Sequence, residues 1–415
     1  MSYWAWGILV VVAIVVIFIA RVTQRKLPSG FWRPGYSCGF APGAWKRCDK
    51  REGADAGFPR AKDAERLKPL PGFKKHRQAP ADRGRLVASG LPVLESTDDV
   101  LAWLGLDLRS FLALADPGDR IRPGKTNYVE WTVPKKRHGV RIICSPKPRL
   151  KAVQHRIKDE ILDHIVPHEA AHGFVIGRSI VTNAEQHVGR ALIVNLDLRN
   201  FFDYVRYHRV IGVFRWLGYS LQASRSLALL CTHRPNLSAL HEDPPEAYVR
   251  HVFRHAVQGA PTSPALANLT VYRLDRRVAG LARTFDARYT RYADDLTFSG
   301  DEPFKRGMIR FLSLAKQIIA EEGFRLNMRK MRFMRPSQRQ QVTGVIVNKK
   351  VNVRREDYDQ LKAIVHNARK IGSLESQNRE NHPDFRAHLL GRAAHIRQLN
   401  AARGQSLIDR IHAIA

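Results

Sequence analysis

The spacing of hydrophobic and polar positions predicts regular structure from about residue 96 onward. A helix N-cap signal, Ser-Thr-Asp-Asp at 96–99, precedes an apolar run. Residues 128–134 and 140–144 have strand character and flank a basic turn at 135–139, which predicts a hairpin. Apolar residues at helical spacing predict a helix over 150–166 and helices over 351–415.

Two further predicted strands end in carboxylates. Residues 191–196 predict a buried strand that ends in Asp197, and residues 289–293 predict a strand that runs into Asp294 and Asp295. Ionised carboxylates repel one another and resist desolvation, so buried strands rarely end in this way. Divalent cations remove that cost, and Mg²⁺ takes carboxylate and phosphate oxygens. Two such ions about 4 Å apart can hold the attacking and leaving oxygens of a phosphoryl transfer.

The start of the chain predicts a membrane anchor. Residues 3–20 carry no charge, and as a helix they would span about 27 Å, close to a hydrocarbon core of about 30 Å. Basic residues follow this run and none precedes it, so the positive-inside rule places the N-terminus outside and the body in the cytoplasm. We therefore expect a single-pass inner-membrane anchor at residues 1–22. A buried N-terminal helix is the alternative.

Residues 23–95 are basic, rich in Pro and Gly, and without apolar periodicity, which predicts a linker. Cys38 and Cys48 in this segment do not have the spacing of a zinc site. The whole chain has 69 Lys and Arg against 38 Asp and Glu, a net charge of +31. This charge favours nucleic acid as a partner, with an anionic membrane surface as the second choice. Four cysteines exclude a disulfide-built secreted scaffold.

Four motifs in a fixed order resemble reverse transcriptases. Tyr-Ala-Asp-Asp at 292–295 resembles the catalytic motif of that family, and residues 195–202 resemble its first metal-binding motif. Residues 258–264 resemble the loop and helix beside the nascent base pair, and residues 323–330 resemble the next palm motif. The resemblance implies an α/β (α+β) right-hand polymerase, with fingers and an antiparallel-sheet palm at 96–350 and a helical thumb at 351–415.

Three details resemble the retron type of this family: Asn-Ala-Glu-Gln-His at 183–187, Val-Thr-Gly at 342–344, and the strand pair at 291–299. The resemblance implies an RNA-directed DNA polymerase that copies a cognate structured non-coding RNA. It also implies priming from an RNA 2′-hydroxyl, an RNA-linked DNA product, a role in antiphage defence and a separate effector protein. The alternatives are an abortive-infection or maturase-like reverse transcriptase, or an inactive membrane-bound RNA-binding scaffold.

The resemblance also implies roles for the carboxylates and their neighbours. Asp197 and Asp294 would bind two Mg²⁺ ions, for which Mn²⁺ is a substitute, with Asp295 in support and the Leu198 carbonyl as a further oxygen ligand. Phe202 matches the steric gate, a ring that excludes a ribose 2′-hydroxyl and so favours dNTPs; core packing is the alternative. The other predicted nucleotide contacts are Lys135, Lys136, Arg141, Gln258, Gly259 and Lys330. For Lys330, a general acid and a charge partner are both open.

The predicted RNA and primer contacts lie in the two retron-type elements. Asn183 and His187, four residues apart, would share a helix face and hold template RNA, unless they are a structural pair. Val342, Thr343 and Gly344 fit a turn that grips the primer, or a plain β-bulge. The histidines at 164, 168 and 172 are interpreted as ordinary structure rather than a metal site.

Overall fold

The computed structural model describes residues 80–116, 126–135, 140–235 and 253–414. The predicted anchor at 1–22, the linker as far as residue 79, and Lys136 lie outside the described residues. Within the described ranges, no helix is both long enough and apolar enough to cross a membrane.

The helices of the described ranges differ in length from 6 to 20 residues. In chain order they are α1 (Arg83–Ala88), α2 (Thr97–Leu104), α3 (Leu108–Ala115), α4 (Pro148–Ile157), α5 (Ile180–Glu185), α6 (Tyr207–Leu217), α7 (Leu221–Cys231), α8 (Ser263–Thr270), α9 (Tyr272–Thr284), α10 (Glu302–Glu321), α11 (Arg355–Ile371), α12 (Phe385–Leu399) and α13 (Ala401–His412). Shorter helical turns are Lys158–Leu162, Phe201–Tyr204, Met328–Lys330 and Glu375–Gln377.

The strands of the described ranges form three antiparallel sheets. They are β1 (Tyr128–Pro134), β2 (Val140–Pro146), β3 (Leu192–Asp197), β4 (Ala287–Tyr292), β5 (Asp295–Gly300), β6 (Arg332–Met334), β7 (Gln341–Val342) and β8 (Val345–Ile346). β1 pairs with β2, β7 pairs with β8, and the remaining four strands form one sheet in the order β4-β5-β3-β6. The predicted hairpin and the predicted strand that ends in Asp197 are confirmed. The second predicted strand is present as β4 but ends at Tyr292, before the turn that carries Asp294.

The four-stranded sheet is the antiparallel palm sheet that the resemblance implies. α9 packs against β4 and α10, and α10 packs against β5. Phe298 of β5 is fully buried between Tyr289 of β4 and Phe311 of α10, with both ring centroids 4.9 Å away. These packed rings join α10 to the sheet. They hold β4 and β5 in place, and with them the side chains at the strand ends.

Two helix boundaries show how well local signals work. Ser96 and Asp99 form a full capping box at the start of α2, as the sequence predicts. The helix predicted over 150–166 instead ends with the π-helical turn Lys158–Leu162. Pro167 follows, and proline disfavours the helical conformation in the residue before it.

The end of the predicted linker is folded, which corrects its boundary at residue 95. Asp82 caps α1, and its backbone N–H donates to the carbonyl of Gly218 at 2.7 Å. Leu86 is fully buried in the main hydrophobic core, together with Leu91 and Leu94. Residues 80–95 therefore belong to the globular body, because their leucines complete its core.

The thumb helices have a hydrophobic core of their own. α12 and α13 form a close antiparallel pair, and a Cβ at Gly404 would clash with the Arg397 backbone. The helices predicted over 351–415 are confirmed. The core itself begins earlier, since Val342 and Val345 of the β7–β8 hairpin and Ile193 of the palm strand β3 also belong to it.

Candidate active site

The pairing of the palm strands brings the three predicted carboxylates together. Asp197, the last residue of β3, is paired with Asp295, the first residue of β5. Asp294 lies in the turn between β4 and β5, directly before Asp295. Antiparallel pairing places the end of one strand beside the start of the next, so all three carboxylates lie at one end of the sheet.

Backbone hydrogen bonds fix the turn that carries Asp294. The N–H of Leu198 donates to the carbonyl of Asp294 at 2.9 Å, and the Arg291 guanidinium donates to the carbonyl of Ala293 at 3.1 Å. Ala293 has a φ of +56°, a left-handed conformation that an alanine adopts only when its surroundings impose it. The conformation of this turn is therefore set by contacts from β3 and from Arg291.

The carboxylates oppose one another's ionisation. Burial and the charge of Asp197 raise the pKa of Asp294 above its usual range. Partial desolvation, with the charges of Asp294 and Asp197, raises the pKa of Asp295 to about 6. Each ionised form is thus costly beside the others, and positive charge at the same place would relieve that cost. This set of crowded oxygen donors fits divalent cations such as Mg²⁺.

Lys330 provides one positive charge at the site. Its Nζ lies 2.7 Å from Oδ2 of Asp197. Burial lowers the pKa of Lys330, but the hydrogen bond to Asp197 and the attraction of all three carboxylates outweigh it and leave the pKa raised. The N–H of Asn327 donates to the backbone carbonyl of Asp197 at 2.8 Å, which ties this segment to the end of β3. The structure therefore places Lys330 as a charge partner of Asp197.

A buried ion pair that sequence reasoning missed lies beneath the catalytic turn. Arg291 and Asp275 both have fully buried side chains and form two hydrogen bonds, Nε to Oδ1 at 2.8 Å and Nη2 to Oδ2 at 2.7 Å. The Tyr289 hydroxyl donates to the same carboxylate at 2.8 Å. Arg291 also reaches Asn268 Oδ1 at 3.0 Å. Asp275, itself bonded to Tyr289, and Asn268 thus hold the guanidinium that bonds to Ala293.

The sequence carried a signal for this pair. Arg291 lies inside a predicted strand, two residues before the turn, where a charged side chain needs a buried partner. Alternation along a strand cannot identify that partner, because Asp275 comes from helix α9.

The predicted nucleotide-side residues come from two elements that touch. The Cys144 N–H of β2 donates to the Gln258 carbonyl at 2.8 Å. Gly259 has a φ of +111°, and a Cβ there would lie 2.8 Å from the Cys144 carbonyl. Glycine is therefore required at position 259 because the chain passes close to the backbone of β2. This contact joins the β1–β2 hairpin to the loop before α8.

The basic end of the hairpin extends toward the carboxylates. Arg141 on β2 is exposed, and its charge lowers the pKa of Asp294 against the raising effects described above. Lys135 is also exposed, at the end of β1. Lys136 lies outside the described residues. Among the described cations of the hairpin, Arg141 is therefore the one whose charge acts on Asp294.

Phe202 is half-buried among aromatic rings close to the carboxylates. Its ring centroid lies 5.5 Å from that of Phe201, which is buried, and 6.4 Å from that of Phe174. Phe174 in turn lies 6.3 Å from Tyr292, at the end of β4. The ring is packed on its sides and retains an exposed portion, so a packing role and a role in the pocket are compatible.

The structure contradicts direct RNA contact for three predicted residues. α5 ends at Glu185, so His187 lies beyond it, fully buried, with its ring nitrogens 2.7 Å from Ser299 Oγ and Thr290 Oγ1. Burial lowers the pKa of His187 to about 3, so it is neutral. Asn183 is also buried and donates to Thr343 Oγ1 at 3.4 Å, and Val342 lies in the thumb core.

Only the tip of the Val-Thr-Gly element reaches the surface. Thr343 and Gly344 have positive φ, +47° and +89°, and form the tight turn between β7 and β8. Gly344 is exposed and Thr343 is half-buried. A contact with primer or template at this turn stays a prediction for these two residues.

Two of the three regularly spaced histidines, His168 and His172, and a polar cluster have structural explanations. His168 Nδ1 accepts from the Ala170 N–H, and His172 Nδ1 bonds to Thr182 Oγ1, as expected of ordinary structural histidines. Among the described residues, Glu130, Cys144 and His233 form the one group with metal-ligand atoms close together. His233 Nε2 and Glu130 Oε1 are 2.7 Å apart, which is a hydrogen bond, and burial raises the pKa of the Cys144 thiol.

A comparison with protein families identifies the core of the chain. The family described as "Reverse transcriptase (RNA-dependent DNA polymerase)" matches residues 133–347. This range contains the three carboxylates, the loop before α8 and the β7–β8 hairpin.

Curated relatives share most of this chain. The retron Mx65 reverse transcriptase of Myxococcus xanthus is 41% identical over 335 residues, which cover 79% of this chain and 74% of the relative. The retron Mx162 reverse transcriptase of the same organism is 36% identical, over 79% of this chain and 68% of the relative. The retron Ec86 reverse transcriptase of Escherichia coli is 33% identical, over 68% of this chain and 81% of the relative.

The buried ion pair predicts a large stability effect. Arg291→Ala would leave the Asp275 carboxylate buried without its cation, so we expect a loss of about 3–5 kcal/mol in the free energy of unfolding. Urea denaturation of both proteins measures it. Arg288→Ala, at an exposed residue of the same strand, should change this value by less than about 0.5 kcal/mol. Equal losses in the two variants would contradict the assigned role.

Proposed function

Because the chain belongs to the retron-type reverse transcriptases and is an RNA-directed DNA polymerase, we propose that it copies a cognate structured non-coding RNA into single-stranded DNA that remains linked to that RNA. Its similarity to the retron Mx65 and retron Ec86 reverse transcriptases supports this proposal. Priming from an RNA 2′-hydroxyl, a role in antiphage defence and a separate effector protein belong to the same proposal and rest on the resemblance.

The observation that carries the proposed chemistry is the meeting of three carboxylates at one end of the palm sheet. Asp197 and Asp294 would hold two Mg²⁺ ions, with Asp295 and the Leu198 carbonyl beside them, and Mn²⁺ would be accepted by the same oxygen ligands. Bound there, the ions would activate the attacking hydroxyl and stabilise the leaving oxygen. The raised pKa values of Asp294 and Asp295 support a site made for added positive charge.

The chain's own residues would position the nucleotide. Arg141, Lys135 and Lys136 would neutralise the triphosphate from the hairpin, and the exposed position of Arg141 near Asp294 supports this. Gln258 and Gly259 would line the pocket from the loop bonded to β2. Phe202 would act as the steric gate against the ribose 2′-hydroxyl. Lys330, the charge partner of Asp197, would face the departing pyrophosphate.

Nucleic acid would lie along the basic surface that the net charge of +31 provides. The Thr343–Gly344 turn would contact the primer backbone, since its tip reaches the surface and glycine allows close approach. The thumb helices α11–α13 would hold duplex by shape and backbone contacts.

We expect Asp294→Asn to abolish DNA synthesis. The substitution keeps the size of the side chain and removes one charge of the proposed metal site, which should lower primer extension on the cognate RNA at least about a hundred-fold. Asp286→Asn is the matched control, because Asp286 is exposed and its φ of +52° suits asparagine. Undiminished extension by a folded Asp294→Asn protein would refute the assignment.

We also propose that residues 3–20 tether the enzyme to the inner membrane, with the N-terminus outside and the catalytic body in the cytoplasm. The uncharged run and the basic residues that follow it support this proposal. A tether would hold the polymerase beside an effector that acts at the membrane.

Fractionation of cells tests the tether. Full-length protein should sediment with membranes and resist carbonate extraction, and a protein that lacks residues 1–22 should remain in the supernatant, because the apolar run is removed. Recovery of both proteins in the supernatant would rule out the anchor while leaving the polymerase assignment untouched.

A further inference from the structure

We propose that Phe174 is a specificity-determining residue of the polymerase, whose ring holds Phe202 in the position that excludes a ribose 2′-hydroxyl. The inference rests on the proposed role of Phe202 as the steric gate and adds a second residue to it. Four features of the segment around Phe174 support it.

First, the segment before Phe174 is bonded to the strand that carries the catalytic turn. Ala171 pairs with Arg291 as a parallel bridge. The Arg291 N–H donates to the Ala170 carbonyl at 2.6 Å, and the His172 N–H donates to the Arg291 carbonyl at 2.7 Å. The chain therefore runs beside β4 and delivers Phe174 to the end of that strand, next to Tyr292.

Second, Gly173 fits closely against the catalytic turn. A Cβ at this position would lie 2.7 Å from the Ala293 backbone nitrogen, so no other residue fits without movement of the turn. Asn268, which is buried and bonds to Arg291, also donates to the Gly173 carbonyl at 2.9 Å. The network beneath the catalytic turn thus also fixes the backbone that precedes Phe174.

Third, core packing does not explain the conformation of Phe174. Its φ is +61°, a left-handed conformation that is unfavourable for a bulky residue and that concentrates at functional sites. The side chain nevertheless remains 51% exposed. Burial of a half-exposed ring stabilises the fold too little to account for the strained backbone. We therefore infer a functional reason for the position of Phe174.

Fourth, Phe174 packs against Phe202, which also contacts Phe201. The Phe201 and Phe202 rings meet edge to face at 67°, and the Phe174 and Phe202 rings meet edge to face at 60°. Phe201 is buried and also packs against Phe324, so that contact is anchored in the core. Phe174 supplies a second contact. A ring excludes a hydroxyl only while it cannot rotate away, and Phe174 limits that rotation.

The test compares the discrimination of the enzyme between dNTPs and rNTPs, measured as the ratio of kcat/KM values in primer extension. Phe174→Gly removes the ring while glycine adopts the left-handed backbone without strain. We expect discrimination to fall on the order of ten-fold, through a rise in kcat/KM for rNTPs. Phe174→Tyr keeps the ring and should keep the discrimination.

Two further variants make the result decisive. Ile176→Gly, in the same segment and 84% exposed, loses a side chain and gains the same flexibility, and it should discriminate as the unmodified enzyme does. Phe202→Ala measures the contribution of the gate itself. If Phe202→Ala loses discrimination while Phe174→Gly keeps it, the role of Phe174 is refuted and the gate stands. If Phe202→Ala keeps it, both assignments fail, and the Asp294→Asn result still tests the polymerase separately.

Discussion

The mutual repulsion of three carboxylates is the constraint on which the site depends. Strand pairing places Asp197 beside Asp295, and the turn that precedes β5 adds Asp294. Each ionised carboxylate therefore raises the free-energy cost of ionising its neighbours. The protein meets this constraint with fixed geometry and opposing charge. Arg291 is fully buried and paired with Asp275, and its guanidinium bonds to the backbone carbonyl of Ala293 in the turn. Lys330 bonds to Asp197.

The buried hydrogen-bond network around Arg291 connects segments that are far apart in the sequence. Asn268 joins Arg291 to Gly173, and Gly173 packs against Ala293. His187, from one retron-type element, supports β4 and β5 from within. The motif residues of this chain are therefore of two kinds: some lie at the carboxylate end of the palm sheet, and others hold the palm strands in place.

Local signals predicted much of the fold, and long-range contacts account for what they missed. The strand that ends in Asp197, the strand that leads into the turn at Asp294, the capping box at Ser96 and the C-terminal helices follow from spacing and polarity within a few residues. His187 was misplaced because α5 ends at Glu185, before the predicted helix face reaches it. The Asp275–Arg291 pair, and the burial of Leu86, Leu91 and Leu94 in the main core, depend on partners distant in sequence, which periodicity cannot specify.

Analysis of the nucleic acid that copurifies with the full-length protein, from cells that carry its own genomic neighbourhood, tests the central claim most directly. The nucleic acid would be separated by size before and after treatment with RNase and with debranching enzyme. A retron-type polymerase predicts a discrete short DNA whose size shifts on both treatments, because RNA is joined to it through a 2′-linkage. RNA alone, or DNA unaffected by debranching, would contradict the proposed RNA-linked product.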